Sequence, residues 1–231
     1  MLDEPRLAFS FLSRIPLGGK GNVRHVPRYF TLVGYAAGAV YYAGHRWMPG
    51  DIGTIATIVI GFVLFDLFHF DGLLDTFDGF LNQSGRDKCM EIMSKGDTGP
   101  FAVFLSFFYL LALFYLVRAT NPWNLVFMSV CGRFSMNVLL STTPPARAEG
   151  LGSLMSPYQQ LATFLSAAAT VPLALLNWKA WALAVGVAIV TGLFMSVATR
   201  HKIGGYTGDV LGATCLLAQT FALAALVLGG L

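Results

Sequence analysis

About seven apolar runs, each long enough to cross a bilayer, constrain this chain more than any other feature. They fall near residues 29–47, 52–70, 101–118, 122–142, 158–178, 180–199 and 210–230. Hydrocarbon offers the backbone no water to bond, so runs of this length fold as helices that satisfy their own amide groups. With 55% hydrophobic residues, 12% charged residues and a mean hydropathy of +0.65, the composition excludes a soluble domain. It predicts an all-α, polytopic integral membrane protein built as a single membrane domain over residues 1–231. Residues 2–15 form the pattern of an amphipathic helix, with Leu7, Ala8, Phe11, Leu12 and Ile15 on one side and Asp3, Arg6, Ser10, Ser13 and Arg14 on the other. Such a helix lies along the membrane surface.

The polar connections divide by charge. Arg6, Arg14, Lys20, Arg24, Arg28, Arg86, Lys88, Lys95, Arg147, Arg200 and Lys202 fall in the N-terminal segment and in alternate loops, whereas the other loops hold only Arg46, Arg118 and Lys179. The positive-inside rule therefore predicts a cytoplasmic N-terminus, an external C-terminus and an inner-membrane protein whose polar motifs all face the cytoplasm. The acidic residues Asp3 and Glu4, with no apolar stretch before the first arginines, argue against a cleaved signal peptide. A net charge of +3 with scattered basic residues gives no footprint for nucleic acid. Cys89, Cys131 and Cys215 show no metal or redox spacing and are expected as free thiols.

The stretch from Asp66 to Gly99 stands apart, because with its flanks it gathers seven of the twelve acidic residues. On a helix, Asp71, Asp75 and Asp78 lie within roughly 60° of one another and form one carboxylate ridge. After the turn-like Asn82-Gln83-Ser84-Gly85, Asp87 and Glu91 are spaced to form a second ridge. Like charges about 6 Å apart repel by roughly 3 kcal/mol at an effective dielectric near 20, so a divalent cation is the economical partner. Carboxylates suit Mg²⁺ or Mn²⁺, and Mg²⁺ is usually shared between carboxylates and a substrate phosphate. Glu91, four residues beyond Asp87, is placed to accept a proton. A solvated acidic helix face and a purely structural cation site are the competing readings.

Arg133 lies inside an apolar run, where a lone charge is costly. It either pairs with Asp66 or grips a phosphate. His69 reads as a hydrogen-bonded packing residue. The segment Arg200–Asp209 combines a basic triplet with glycines ahead of a helix N-terminus, which suits an anion; a topology anchor with an N-cap at Thr207 or Asp209 explains it equally well.

Several stretches together resemble the cobalamin synthase family, the adenosylcobinamide-GDP ribazoletransferases. They are Phe11-Leu12-Ser13-Arg14-Ile15-Pro16, His69-Phe70-Asp71-Gly72-Leu73-Leu74-Asp75-Thr76-Phe77-Asp78-Gly79, Glu91-Ile92-Met93, Gly132-Arg133, Ala146–Gly152 and Gly204–Ala213. The run Ser94-Lys95-Gly96-Asp97-Thr98-Gly99 departs from the family's usual order of acid and base. The resemblance implies Mg²⁺-dependent transfer of an adenosylcobinamide-phosphoryl group from adenosylcobinamide-GDP to α-ribazole or its 5′-phosphate, with release of GMP. It implies metal ligands at Asp71, Asp75, Asp78 and Asp87, and catalytic roles for Glu91 and Asp97. Substrate binding would fall to Arg14, Lys95, Arg133, Arg147, Lys202, Gly205, Tyr206, Thr207 and Asp209. The acidic spacing is also similar to that of CDP-alcohol phosphotransferases, though Phe80-Leu81-Asn82 replaces their Ala-Arg. A divalent-cation transporter is the rival from another class. The partners expected are the two substrates and the lipid bilayer, and the sequence leaves a homo-oligomer open.

Overall fold

A computed structural model describes residues 3–150 and 152–231; Leu2 of the amphipathic segment and Leu151 of the 146–152 stretch lie outside the described residues. Every residue from 124 to 140 is buried, which makes α7 (Pro122–Thr142) the axis of the bundle. A helix that is apolar all round belongs in the interior. Around α7 pack α2 (Phe30–Trp47), α9 (Trp178–Ile203) and α10 (Gly208–Leu228). The α2 contact is a backbone approach, since a Cβ on Gly34 or Gly38 would sit 2.8 Å from the Cα of Val130 or Val126. Small residues bring membrane helices together in this way, because lipid supplies no hydrophobic drive between them.

α3 (Gly50–Gly61), a π-helical turn at Phe62–Asp66 and α4 (Leu67–Leu81) form one helical run of 32 residues. At 1.5 Å per residue it is about 48 Å long, well beyond the ~30 Å hydrocarbon core. The acidic end of α4 therefore projects past the apolar layer, then turns into α5 (Arg86–Lys95). α6 (Pro100–Ala119) lies on the outside and exposes Phe101, Phe104, Phe107 and Phe108, a face suited to lipid.

Five stretches are long and apolar enough to cross a membrane: 50–81, 100–119, 122–142, 178–203 and 208–228. The two other apolar runs fall outside this set. The first is α2. The run 158–178 becomes α8 (Gln160–Thr170) and a 3₁₀ turn at Val171–Leu175, where Pro172 removes a helical donor. No strand occurs among the described residues, and one isolated bridge joins Pro145 to Tyr206. The amphipathic α1 covers Asp3–Leu12. It stops short of residue 15 because the Ser13 hydroxyl donates back to the Phe9 carbonyl at 2.6 Å and the Arg14 N–H donates to the Leu64 carbonyl at 2.8 Å. All three cysteines are free and buried.

Candidate active site

Two glycines set the site. A Cβ on Gly72 of α4 would lie 2.7 Å from the Asp209 Cα, and one on Gly212 of α10 would lie 2.9 Å from the His69 Cα. The two helices thus touch backbone to backbone at their polar ends. This contact carries Asp209 to the α4 ridge, and Asp75 feels the charges of Asp209, Asp71 and Asp78. Four carboxylates share one electrostatic neighbourhood, and one of them comes from the opposite end of the sequence. Asp71 is exposed, Asp75 and Asp209 are half-buried, and Asp78 is buried.

Asp78 differs from the others in its bonds. Its two carboxylate oxygens accept the Gly99 N–H at 2.6 Å and the Ala102 N–H at 2.9 Å. These are orphan donors at the start of α6, where a negative charge also meets the positive end of the helix dipole. Asp78 therefore ties α6 to α4.

α5 rests on Gly79 of α4 through Cys89 and Met93, its buried face. Glu91 stands two residues from each, about 200° around the axis, and is exposed. It pairs with Lys95 at 2.7 Å and Lys88 at 3.0 Å. The Lys95 and Lys88 ammonium groups hold its carboxyl below the usual range. Asp87 and Asp97 are likewise exposed. The buried face of α5 turns Glu91 to solvent, away from the α4 carboxylates.

The third wall comes from two loops. Tyr206 pairs its backbone with the 144–146 segment: its N–H donates to the Pro144 carbonyl at 2.9 Å and its carbonyl accepts the Ala146 N–H at 2.8 Å. Gly205 is required there, since a Cβ would meet the Pro144 carbonyl at 2.5 Å. Burial pushes the Tyr206 hydroxyl up to about 12, so it stays protonated and donates to the Gly152 carbonyl at 3.1 Å. Thr207 caps α10 by accepting the Val210 N–H, and it donates to Asp209 at 3.2 Å. Arg147 donates to the Met90 carbonyl at 2.8 Å, and Lys202 donates to the Asn82 and Ser84 carbonyls, so both cations fasten α5 and its turn to the loops.

Two cavities flank Asp209. One, of about 200 Å³, is lined by Arg147 and Glu149 together with Ser94, Ser153 and Thr207. The other, of about 400 Å³, lies between α1, α4 and α10 and is lined by Phe11, Leu12, Met155 and Leu211 beside Asp71 and His69. Gly152, Gly208 and Asp209 belong to both. Sequence reading passed over Gly152 and Gly208 as individual positions; the glycine spacing of the two stretches was the available signal.

Arg133 is placed elsewhere. It is fully buried and donates to Asp66 at 2.7 Å, while Asp66 also accepts the Tyr41 hydroxyl at 2.7 Å and the Gln219 amide at 3.3 Å. Arg133 lines neither of the cavities that flank Asp209. His69 Nδ1 lies 3.5 Å from Asp66. Arg14 borders a separate, shallow hollow with Ser10 and Phe68.

No group of three or more His, Cys, Asp or Glu among the described residues is placed to hold a metal ion. Mg²⁺ is usually held by only one or two carboxylates, with waters and substrate phosphate completing its shell.

Residues 4–227 match the family model for cobalamin-5-phosphate synthase. The chain is 43% identical to an adenosylcobinamide-GDP ribazoletransferase of Kosmotoga olearia, over 99% of this chain and all of that protein. It is also 43% identical to the Fervidobacterium nodosum protein of that name, over 94% of each chain. The Thermosipho melanesiensis protein of that name is 42% identical, over 94% of this chain and 95% of its own. No solved structure matches.

Proposed function

Since the chain belongs to the cobalamin-5-phosphate synthase family, we propose that it transfers the adenosylcobinamide-phosphoryl group of adenosylcobinamide-GDP to the ribose 3′-hydroxyl of α-ribazole or its 5′-phosphate. The chain is a transferase of cobalamin synthesis. In the proposed step the acceptor oxygen attacks the phosphorus that carries cobinamide. The bond from that phosphorus to the bridging oxygen breaks, and GMP leaves with the electron pair.

The observation that carries this reading is that Asp209, which lines two cavities, one of them also holding Arg147, acts on Asp75 together with Asp71. One or two of Asp71, Asp75 and Asp209 would hold Mg²⁺, or Mn²⁺, together with donor phosphate oxygens. When bound, the ion neutralises diphosphate charge. Arg147 steadies the departing phosphate from the polar side, and a carboxylate of the cluster takes the hydroxyl proton. The charge bias of the loops supports a site on the cytoplasmic face of the inner membrane. Asp78 keeps α6 in place beside the site.

The experiment is a component-omission assay on purified protein. GMP and a complete cobamide should appear in equal amounts, and only when corrinoid donor, acceptor and Mg²⁺ are all present. Consumption of a CDP-linked lipid instead would favour the phosphotransferase alternative, and cation uptake by vesicles without turnover would favour a transporter.

A further inference from the structure

The two cavities beside Asp209 differ in chemistry as well as size. The smaller holds Arg147, Glu149 and Asp209 with several hydroxyls. The larger draws its walls from Phe11, Leu12, Met136, Met155 and Leu211, and only one end, at Asp71 and Asp209, is charged. Leu12, Met136, Met155 and Leu211 are all buried, so these walls are fixed by core packing. Its volume of about 400 Å³ lies in the range of small-molecule sites, which are mostly apolar with a few convergent polar groups.

The substrates of the proposed transfer divide along the same line. The donor's nucleotide end is a guanosine diphosphate, with charge and many hydrogen-bonding groups. The acceptor's base is a fused aromatic ring with two methyl groups, no charge and no N–H donor. Placing that base among Arg147, Glu149 and the hydroxyls would strip polar groups of water without returning bonds, whereas the mostly apolar walls of the larger cavity, away from its Asp71 and Asp209 end, have few to strip.

We propose that the cavity between α1, α4 and α10 seats the dimethylbenzimidazole base of the acceptor. Its ribose then reaches Asp71 and the shared wall at Asp209, and the donor phosphates approach from the Arg147 side. The assignment rests on the transfer reaction proposed above. It makes Leu211, which is buried and lines the slot from α10, a determinant of base selectivity.

The test is steady-state kinetics of the parent protein, Leu211→Phe and Leu211→Ala in detergent. Three acceptors are compared: α-ribazole, the riboside lacking both methyl groups, and one carrying ethyl groups in their place. Leu211→Phe should lower kcat/KM for α-ribazole relative to the unmethylated riboside by about tenfold, since a methylene in an apolar pocket changes discrimination by that order. Leu211→Ala should shift preference toward the ethyl-bearing riboside, and it decides the matter alone if the Phe variant does not fold. In both variants the KM for the donor should stay within twofold of the parent, as a rough bound. Equal losses for all three acceptors would reduce the slot to a packing defect and overturn the proposal. A rise in donor KM alone would give the slot to the donor, and unchanged selectivity with loss of bound lipid would make it an acyl-chain site; either result overturns it. An active protein with unaltered selectivity sinks the cavity assignment only, whereas a parent protein that releases no GMP sinks the transfer reading and this assignment with it.

Discussion

Arg133 and Asp66 form an ion pair at 2.7 Å with both side chains fully buried, one on the axial helix and the other at the π-helical turn that begins the acidic run. The pair fixes where α4 leaves the bundle. Removing one partner from such a pair costs about 3–5 kcal/mol, because the other charge is left without compensation. Arg133→Met should therefore lower the thermal unfolding temperature in detergent sharply, and Arg133→Lys by less. Any Arg133→Lys protein that folds should keep the parental KM for the donor, a result that separates a structural arginine from one that grips phosphate.

Asp78 and Asp209 should respond differently to loss of charge. Asp78→Ala removes the acceptor for two N–H groups of α6 and should cost about 1–2 kcal/mol of stability, the usual size of a lost cap. Asp209→Asn removes a charge from a crowded cluster and should leave unfolding close to parental. Parallel unfolding curves and rates for the two variants check the contrast.

Glu91 faces solvent between Lys88 and Lys95. Glu91→Gln should retain GMP release within about twofold, because exposed ion pairs contribute little. A loss of a hundredfold would place Glu91 in the chemistry after all.

Orientation can be checked with introduced cysteines. Burial of Cys89 pushes its thiol up and keeps it from reacting, so it supplies a quiet background. An impermeant maleimide should label Lys179→Cys in intact cells, and Gln83→Cys only after lysis. The reverse pattern would invert the topology.

The fold class and the carboxylate ridge were legible in the sequence because both follow from periodicity. Apolar runs dictate helices in lipid, and steps of four and three place Asp71, Asp75 and Asp78 on one face. What periodicity does not carry is which helices touch. Asp209 joins the ridge only because Gly72 and Gly212 let α4 and α10 approach, a contact between residues more than a hundred positions apart. Glu91 shows the converse: its spacing from Asp87 is correct, but the buried face of α5 is set by Cys89 and Met93, and that turns Glu91 to solvent. The second apolar run ends near residue 70, whereas the helix continues to Leu81, because the glycines and aspartates that weaken α4 locally are held by packing on α10.

The measurement that tests the central claim most directly is the Mg²⁺ dependence of GMP release, with donor and α-ribazole both present, for the parent protein and for Asp209→Asn. The account predicts strictly Mg²⁺-dependent release by the parent and a loss of at least about a hundredfold in the variant, the scale of removing one preorganised charge from a transfer site. An Asp209→Asn protein that releases GMP at the parental rate, with the parental Mg²⁺ requirement, would contradict it.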